Sequence, residues 1–434
     1  MVRHILLLIT LLTAVTAAAQ RTDTGNGIFN ERLRTLEVKS TADGGDRGWQ
    51  MPGAAMMVLD SGDAVTVEFD VLSDDRDYLR YSVTHCNADW QPSQLAYVEY
   101  LDGFDEGTID DYEFSQATSV HYVHYRFTIP NDQVRITATG NYLLRIYPED
   151  DPEQTWAQCR FVVTDQTASV AAALTSRTDV DYNKAHQQLE LQVNVDRAQV
   201  SDIFNDVTVV IQQNGRTDNQ AVLTKPLRVS GRTLVYEHQA PLIFKAGNEY
   251  RRFESLSTQY PGMGVERMEY RAPYYHTVLQ ADQSRAGESY HYDQTLNGGF
   301  VVREYNADDP DTQADYTVVH FTLDYPETPG FDFYLDGDFV NRRFSPEARM
   351  VYNRGTGKYQ HAMLLKQGAY SYQYLALPAA DASGRYNGSA TVGRTDVIEG
   401  DKYETRNRYR VLVYVRRPGE RADRLVAVRD LLPE

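Results

Sequence analysis

HCNADWQPSQLAYVEYLDGFDEGTIDDYEFSQATSVHYVHYRFTIPNDQVRITATGNYLLRIY, residues His85 to Tyr147, follows a segment from Tyr78 to His85 that alternates with the period of a strand. The segment runs into a loop carrying Glu99, Asp102, Asp105, Glu106, Asp110, Asp111 and Glu113, with no Lys or Arg among them. Trp90, Tyr97, Tyr100, Phe104, Tyr112 and Phe114 are interleaved with those acids. Each ring can bury on the order of 150–250 Å². Aromatics at this density are expected to fold a long loop back onto a sheet, leaving the carboxylates in water.

Outward from this stretch the same pattern repeats. Val65-Thr66-Val67-Glu68-Phe69 follows the turn cluster Asp60-Ser61-Gly62-Asp63, and Trp156 to Val163 follows Pro148-Glu149-Asp150-Asp151-Pro152. Valine, threonine, tyrosine and phenylalanine dominate the runs, as half-buried pleated surfaces prefer. Periodicity near 3.6 is scarce, so the chain reads as all-β sandwich. At Thr164 the composition turns small and polar, which ends a first domain of residues 20–164. Leu189, Leu191, Val193 and Val195 then alternate with polar residues, Val207 to Gln212 repeats the theme, and Asn214-Gly215 is a hairpin signal. A short helix is allowed around Val200 to Asn205. The acidic cluster Asn306 to Asp311 separates a second domain (165–308) from a third (309–434), to which the strands Tyr316 to Leu323, Phe331 to Leu335, Tyr359 to Leu365, Tyr370 to Leu377 and Tyr409 to Val415 are assigned.

The N-terminus has the form of a secretory signal over residues 1–19. Arg3 and His4 precede an apolar core from Ile5 to Thr16, and Ala17-Ala18-Ala19 forms the cleavage site, with Gln20 as the new N-terminus. That core is too short to span a bilayer. The product is expected to be exported and not itself membrane-spanning. Of 434 residues 43 are basic and 61 acidic, a net charge of −18, or about −19 once Arg3 is removed. Such a balance repels nucleic acid and favours a partner with basic patches. Cys86 and Cys159 are the two cysteines. An oxidising compartment permits a disulfide between them, provided the fold brings their Cα atoms within about 7 Å; two buried small apolar residues are the other reading.

Enzyme signatures are missing: there is no G-x-S-x-G, H-E-x-x-H or Walker A motif, and Gly262-Met263-Gly264 lacks the context of a dinucleotide loop. His121 and His124 stand three apart, which on a strand means opposite faces, so one metal could not take both. The acidic loop has no EF-hand spacing and is read as solvated rather than calcium-binding. No catalytic residue, cofactor or metal is therefore expected. A membrane barrel fits poorly with a mean hydropathy of −0.52. Between Arg406 and Arg429 lie eight arginines against Glu420 and Asp423. They either guard a sheet edge or dock on an acidic rim, since arginine forks suit carboxylates. The 31 tyrosines are divided between sheet faces and interfaces in a proportion that composition does not reveal.

The pieces His85-Cys86-Asn87-Ala88-Asp89-Trp90, Glu99-Tyr100-Leu101-Asp102-Gly103-Phe104, Asp111-Tyr112-Glu113-Phe114-Ser115, His124-Tyr125-Arg126-Phe127 and Gly140-Asn141-Tyr142-Leu143-Leu144 resemble the first domain of the plug protein of the type IX secretion system, a family of Bacteroidetes. Ala246 to Glu254, Tyr260 to Arg267 and Glu399 to Thr405 are similar to later segments of that family. The resemblance implies three consecutive immunoglobulin-like or early-set β-sandwich domains and a non-enzymatic periplasmic protein at the inner side of the outer membrane. It implies a monomer that joins a hetero-complex by plugging the idle translocon barrel, SprA or Sov. Trp90, Glu99, Tyr100, Asp102, Phe104, Asp105, Asp110, Asp111 and Tyr112 of the loop, with Arg406, Arg408, Arg410, Arg416 and Arg417, are the expected contact residues, because their chemistry exceeds structural need. Phe331 to Phe339 with Lys366 to Tyr372 resembles early-set modules related to glycogen-binding domains, which makes an exported carbohydrate-binding protein the alternative. The loop at Val340-Asn341 continues with Arg342-Arg343 where sugar binders of that kind carry a tryptophan.

Overall fold

A computed structural model describes residues 23–43, 51–379 and 392–432. Residues 1–19, where a leader is expected, Gln20 and Trp49 lie outside the described residues. The chain forms three β-sandwiches. In the first, one sheet runs in the order Gly27–Ile28, Ala157–Thr164, Gly140–Pro148, Leu79–Cys86, Glu106–Ile109, with Ala55–Val58 parallel to Ala157–Thr164. The facing sheet is Leu33–Ser40, Val65–Val71, Val123–Ile129, Asp111–Phe114. Val65, Val67, Phe69 and Val71 point inward against Tyr81, Val83, Tyr142 and Phe161, as alternation requires. The outward residues Glu68 and Asp70 are buried as well, because the third sandwich covers that face.

The second and third sandwiches are nested rather than consecutive. Tyr409–Val415 pairs antiparallel with Val207–Gln213, from Val207 opposite Val415 to Gln213 opposite Tyr409. Arg424–Leu431 adds the next strand. This sheet faces one containing Ser169–Thr175, His186–Asn194, Thr233–Tyr236 and Arg228–Ser230. The third sandwich is built between them: Arg251–Ser255, Phe300–Val302 and Phe331–Asp336 all pair with Gly368–Pro378. Opposite lies a sheet of Val265–Arg271, Tyr274–Leu279, Tyr316–Asp324, Lys358–Lys366 and Val351–Asn353. The expected boundary at 308/309 and the assignment of Tyr409 to Val415 to the third sandwich are thus corrected. The physical reason is that Tyr409–Val415 is buried on both faces. Tyr409, Val411, Val413 and Val415 fill the second core, while Leu412 and Tyr414 press on the first sandwich. Residues 200–205 form turns and no helix, the Asp206 carboxylate accepting from the Ser201 and Asp202 amides at 3.0 and 2.7 Å.

No disulfide forms: both cysteines are free and buried. Cys86 lies opposite Asn141 and Cys159 opposite Leu144, on strands flanking Gly140–Pro148. Two strand spacings, roughly 9–10 Å, and a three-residue offset along the strand, about another 10 Å, keep them apart. Asn141 and Leu144 also point to opposite faces, so Cys86 enters the inter-sandwich contact and Cys159 the first core. Burial pushes each thiol up to about 12.

Buried polar contacts lock the three bodies together. Between the first and second, Arg410, steadied by Asp430 of its own sheet (2.7 Å), donates to Asp43 (2.6 Å) and the Ala54 carbonyl (2.5 Å), and the Tyr414 hydroxyl donates to Asn141 at 2.8 Å. Gly215, at φ +72°, approaches Gly53 so closely that a Cβ there would sit 2.4 Å from the Gly53 nitrogen. Between the first and third, Lys366 lies 2.6 Å from Asp70, both fully buried, and the Tyr316 hydroxyl donates to the same carboxylate at 2.6 Å. Burial alone would raise Asp70, but Lys366 and His124 hold it below the ordinary carboxylate range.

Candidate interaction surface

The acidic stretch is a pair of edge strands. Glu106–Ile109 is the last strand of one sheet of the first sandwich and Asp111–Phe114 the last strand of the other, so the chain crosses between sheets at Asp110. The aromatic residues anchor it, as their density suggests, but unequally. Tyr100 is buried, its ring 5.6 Å from His85 and 6.1 Å from Tyr142. Arg76 lies over the rings of Tyr78 (4.7 Å) and Tyr112 (4.4 Å) and pairs with Asp110 at 2.9 Å. Arg76 was not among the expected site residues; its signal is a lone cation in the acidic turn Ser73 to Tyr78.

What reaches water is a mixed acidic and aromatic rim. Asp102, Phe104, Asp105, Asp110 and Asp111 are exposed, Phe104 by 67% and Phe114 by 48%. Asp102 has Arg135 at 3.3 Å, a pair open on both sides. Tyr112 is half-buried. Carboxylates along two sheet edges deter edge-to-edge pairing. Exposed phenylalanines do not serve that end.

Trp90 does not belong to the rim. It is buried between the first and second sandwiches with Cys86, Leu143, Val162, Val210 and Leu412, and Arg160 stacks on it at 4.3 Å. Its backbone lies in the left-handed region, at φ +64°.

The arginine-rich end divides in the same way. Arg410 is fully buried, as above, and Arg408 donates to Asn297 at 2.7 Å, linking the second body to the third. Arg417 is held by Glu420 at 2.7 Å. Arg406 covers the Tyr292 ring at 4.5 Å, and Arg416 faces water beyond Asp423 at 3.8 Å. Arg421 pairs with Glu99. The Ala96 amide and that guanidinium hold Glu99 below the usual carboxylate range. Asp423 accepts from the Ala88 amide at 2.8 Å. Much of the acid–arginine complementarity legible in the sequence is therefore satisfied inside the chain: the arginine end docks on residues 87–99.

The loop relevant to sugar binding is also engaged. Arg342 donates to Asp338 at 2.7 Å, and Arg343 pairs with Asp23 and donates to the Asn26 carbonyl at 3.2 Å. Asn341, Arg342 and Arg343 line a cavity of about 670 Å³ where the three bodies meet, together with Lys39, Glu68 and Arg160. No helix among the described residues is long and apolar enough to cross a membrane.

Residues 34–165 match the type 9 secretion system plug protein 1st domain. Across nearly the whole chain the fold is similar to a crystal structure of a hypothetical protein from Parabacteroides merdae ATCC 43184. The two share 36% identity over 95% of this chain and 100% of that one, with a TM-score of 0.89. No curated protein matches.

Proposed function

We propose, from its membership of the type 9 secretion system plug family, that the chain is a non-enzymatic subunit closing the periplasmic mouth of the outer-membrane translocon barrel, SprA or Sov, while the barrel is idle. The observation that carries this reading is that the plug-domain match, residues 34–165, falls on the sandwich that presents the acidic–aromatic rim. Association with the secretion translocon and an envelope location follow from the family; closure of the idle pore is the finer step.

Closing a pore is binding work. It asks for a body that does not deform under load and for a contact burying more than roughly 1,000 Å². Three sandwiches cross-linked by buried ion pairs meet the first requirement. For the second, the rim of Asp102, Phe104, Asp105, Asp110, Asp111 and Phe114 supplies apolar anchors between charges. Exposed Arg406 and Arg416 offer a second contact of opposite sign. Release needs no chemistry: a plug that prefers the idle barrel leaves when substrate favours another state.

Replacing Asp102, Asp105, Asp110 and Asp111 by Asn tests the reading. Recovery of the barrel with the tagged protein from detergent-extracted envelopes should fall, most at low salt where charge attraction is unscreened. Undiminished recovery of a folded variant removes the rim from the interface, and failure of the unmodified protein to recover any barrel removes the plugging role. The carbohydrate-binding alternative depends on the Val340–Arg343 loop, where Arg342 is spent on Asp338 and Asn297 within the third sandwich and Arg343 on Asp23 and Asn26 of the first.

A further inference from the structure

We propose that Glu68, His124 and Asp311 form a zinc site that clamps the first sandwich to the third. One ligand atom from each lies within 4.8 Å of the others. Glu68 and His124 come from the neighbouring strands Val65–Val71 and Val123–Ile129. Asp311 comes from the single helical turn Pro310–Gln313 that opens the Tyr316–Asp324 strand.

The histidine distinguishes this group from a mere cluster of acids. Its side chain is 8% exposed, and its Nδ1 stands 2.8 Å from Asp70 Oδ1. A carboxylate can only accept, so Nδ1 donates, and in the neutral ring Nε2 carries the lone pair. That Nε2 is buried and has no hydrogen-bond partner among the described residues. A carboxylate that orients a histidine whose far nitrogen is bare is the arrangement that supports zinc ligands. One imidazole and two carboxylates suit zinc, with a fourth position left for water. Glu68 and Asp311 line the 670 Å³ cavity, which provides the entry path.

Cations already stand here. Arg126 donates to Glu68 at 2.7 Å and to Asp311 at 3.3 Å, Lys39 donates to Glu68, and Lys366 neutralises Asp70. Zinc binding therefore exchanges the Arg126 contacts for metal bonds. The exchange is open to Arg126, whose side chain is 39% exposed and borders the cavity. Ligand atoms about 2.0–2.2 Å from a tetrahedral ion stand about 3.3 Å apart, so the group contracts by about 1.5 Å or less through carboxylate rotation.

The full chain, stripped with chelator, is titrated with zinc chloride by calorimetry, and bound metal is counted after gel filtration. One zinc per chain and a higher unfolding temperature with zinc are expected. Asp311→Asn, at a half-buried position and checked for folding by circular dichroism, should weaken binding by more than about tenfold, since loss of even an outer partner costs 10–100-fold. His124→Gln should abolish it. His276 and His320 form a separate pair, their ring nitrogens 2.7 Å apart on the outer face of the third sandwich; the variant His276→Gln/His320→Gln should bind as the unmodified chain does. The proposal is overturned if the unmodified chain takes up no zinc, if binding survives in folded Asp311→Asn and His124→Gln, or if it vanishes in the His276/His320 variant.

Discussion

Glu399→Gln removes one negative charge from a fully buried site. The Glu399 side chain is fully buried, and Arg251 donates to it at 3.0 Å. Arg285 donates at 2.6 Å and the Tyr374 amide at 2.9 Å. Burial by itself would raise this carboxyl; Arg251 and then Arg285 more than offset it and bring it from 4.5 down to about 2. At 1.36 kcal/mol per unit the difference corresponds to roughly 3 kcal/mol of folding free energy. Breaking buried pairs typically costs 3–5 kcal/mol, which agrees. Because the folded-state value is depressed, this stability is present in full above pH about 4.5 and is lost as pH falls toward 2. Urea melts followed by far-UV circular dichroism across that window should show the unmodified chain losing roughly 3 kcal/mol more than Glu399→Gln, which starts lower by about that amount. Hydrogen exchange at the Gly368–Pro378 strand localises the change; the tryptophans sit in the first 164 residues and would miss it. Parallel acid profiles for the two proteins would refute the reasoning.

Arg410→Met leaves Asp43 and Asp430 without their cation between the first and second sandwiches and should cost on the order of 3–5 kcal/mol in urea melts; a loss within error would mean the carboxylates find other partners. Gly215→Ala, forced to φ +72° against the Gly53 backbone, should destabilise the same contact by about 1–3 kcal/mol, and an unchanged melting curve would show that the loop yields. Under oxidant, tryptic digests should yield no Cys86–Cys159 cross-linked peptide, and both thiols should react with a disulfide reagent only on unfolding; rapid reaction of the native chain would contradict their burial.

The strands were legible because alternation is a local signal, and so was the acidic edge. Exposure was less so. Trp90 and Arg410 carry the chemistry of contact residues and do make a contact, but with another part of the same chain. Composition cannot distinguish the two. The nesting of the sandwiches was hidden for a related reason: Tyr409–Val415 shows a continuous apolar run, which announces burial on two faces without naming the partner strand. Motif pieces scattered along the sequence converge in space, which explains their form. His85 touches Gly140, whose φ of +148° leaves no room for a Cβ beside the imidazole. Asn87 accepts from Asn141 at 2.9 Å, and Arg251 of the Ala246 to Glu254 segment meets Glu399 of the Glu399 to Thr405 segment. The acid group around His124 escaped because only His121 was within reach of a spacing argument.

The route of the chain through the second sandwich sets an order of events. Synthesis proceeds from the N-terminus, so the first sandwich can close once residue 164 is available. Val207–Gln213 must then wait through the whole of the third sandwich before Tyr409–Val415 arrives. Until that moment its apolar edge is open, a waiting period in which a holding chaperone has an obvious target. The last strands to appear and the turn between them also carry Arg410, Tyr414 and Asp423, which fasten the second sandwich to the first. Pairing of Tyr409–Val415 therefore completes the second sandwich and fastens it to the first in one step. A chain cut short before Tyr409 keeps the first and third sandwiches joined through Lys366 and Asp70 but leaves the second unfinished and unfastened, an open edge that a quality-control protease can recognise.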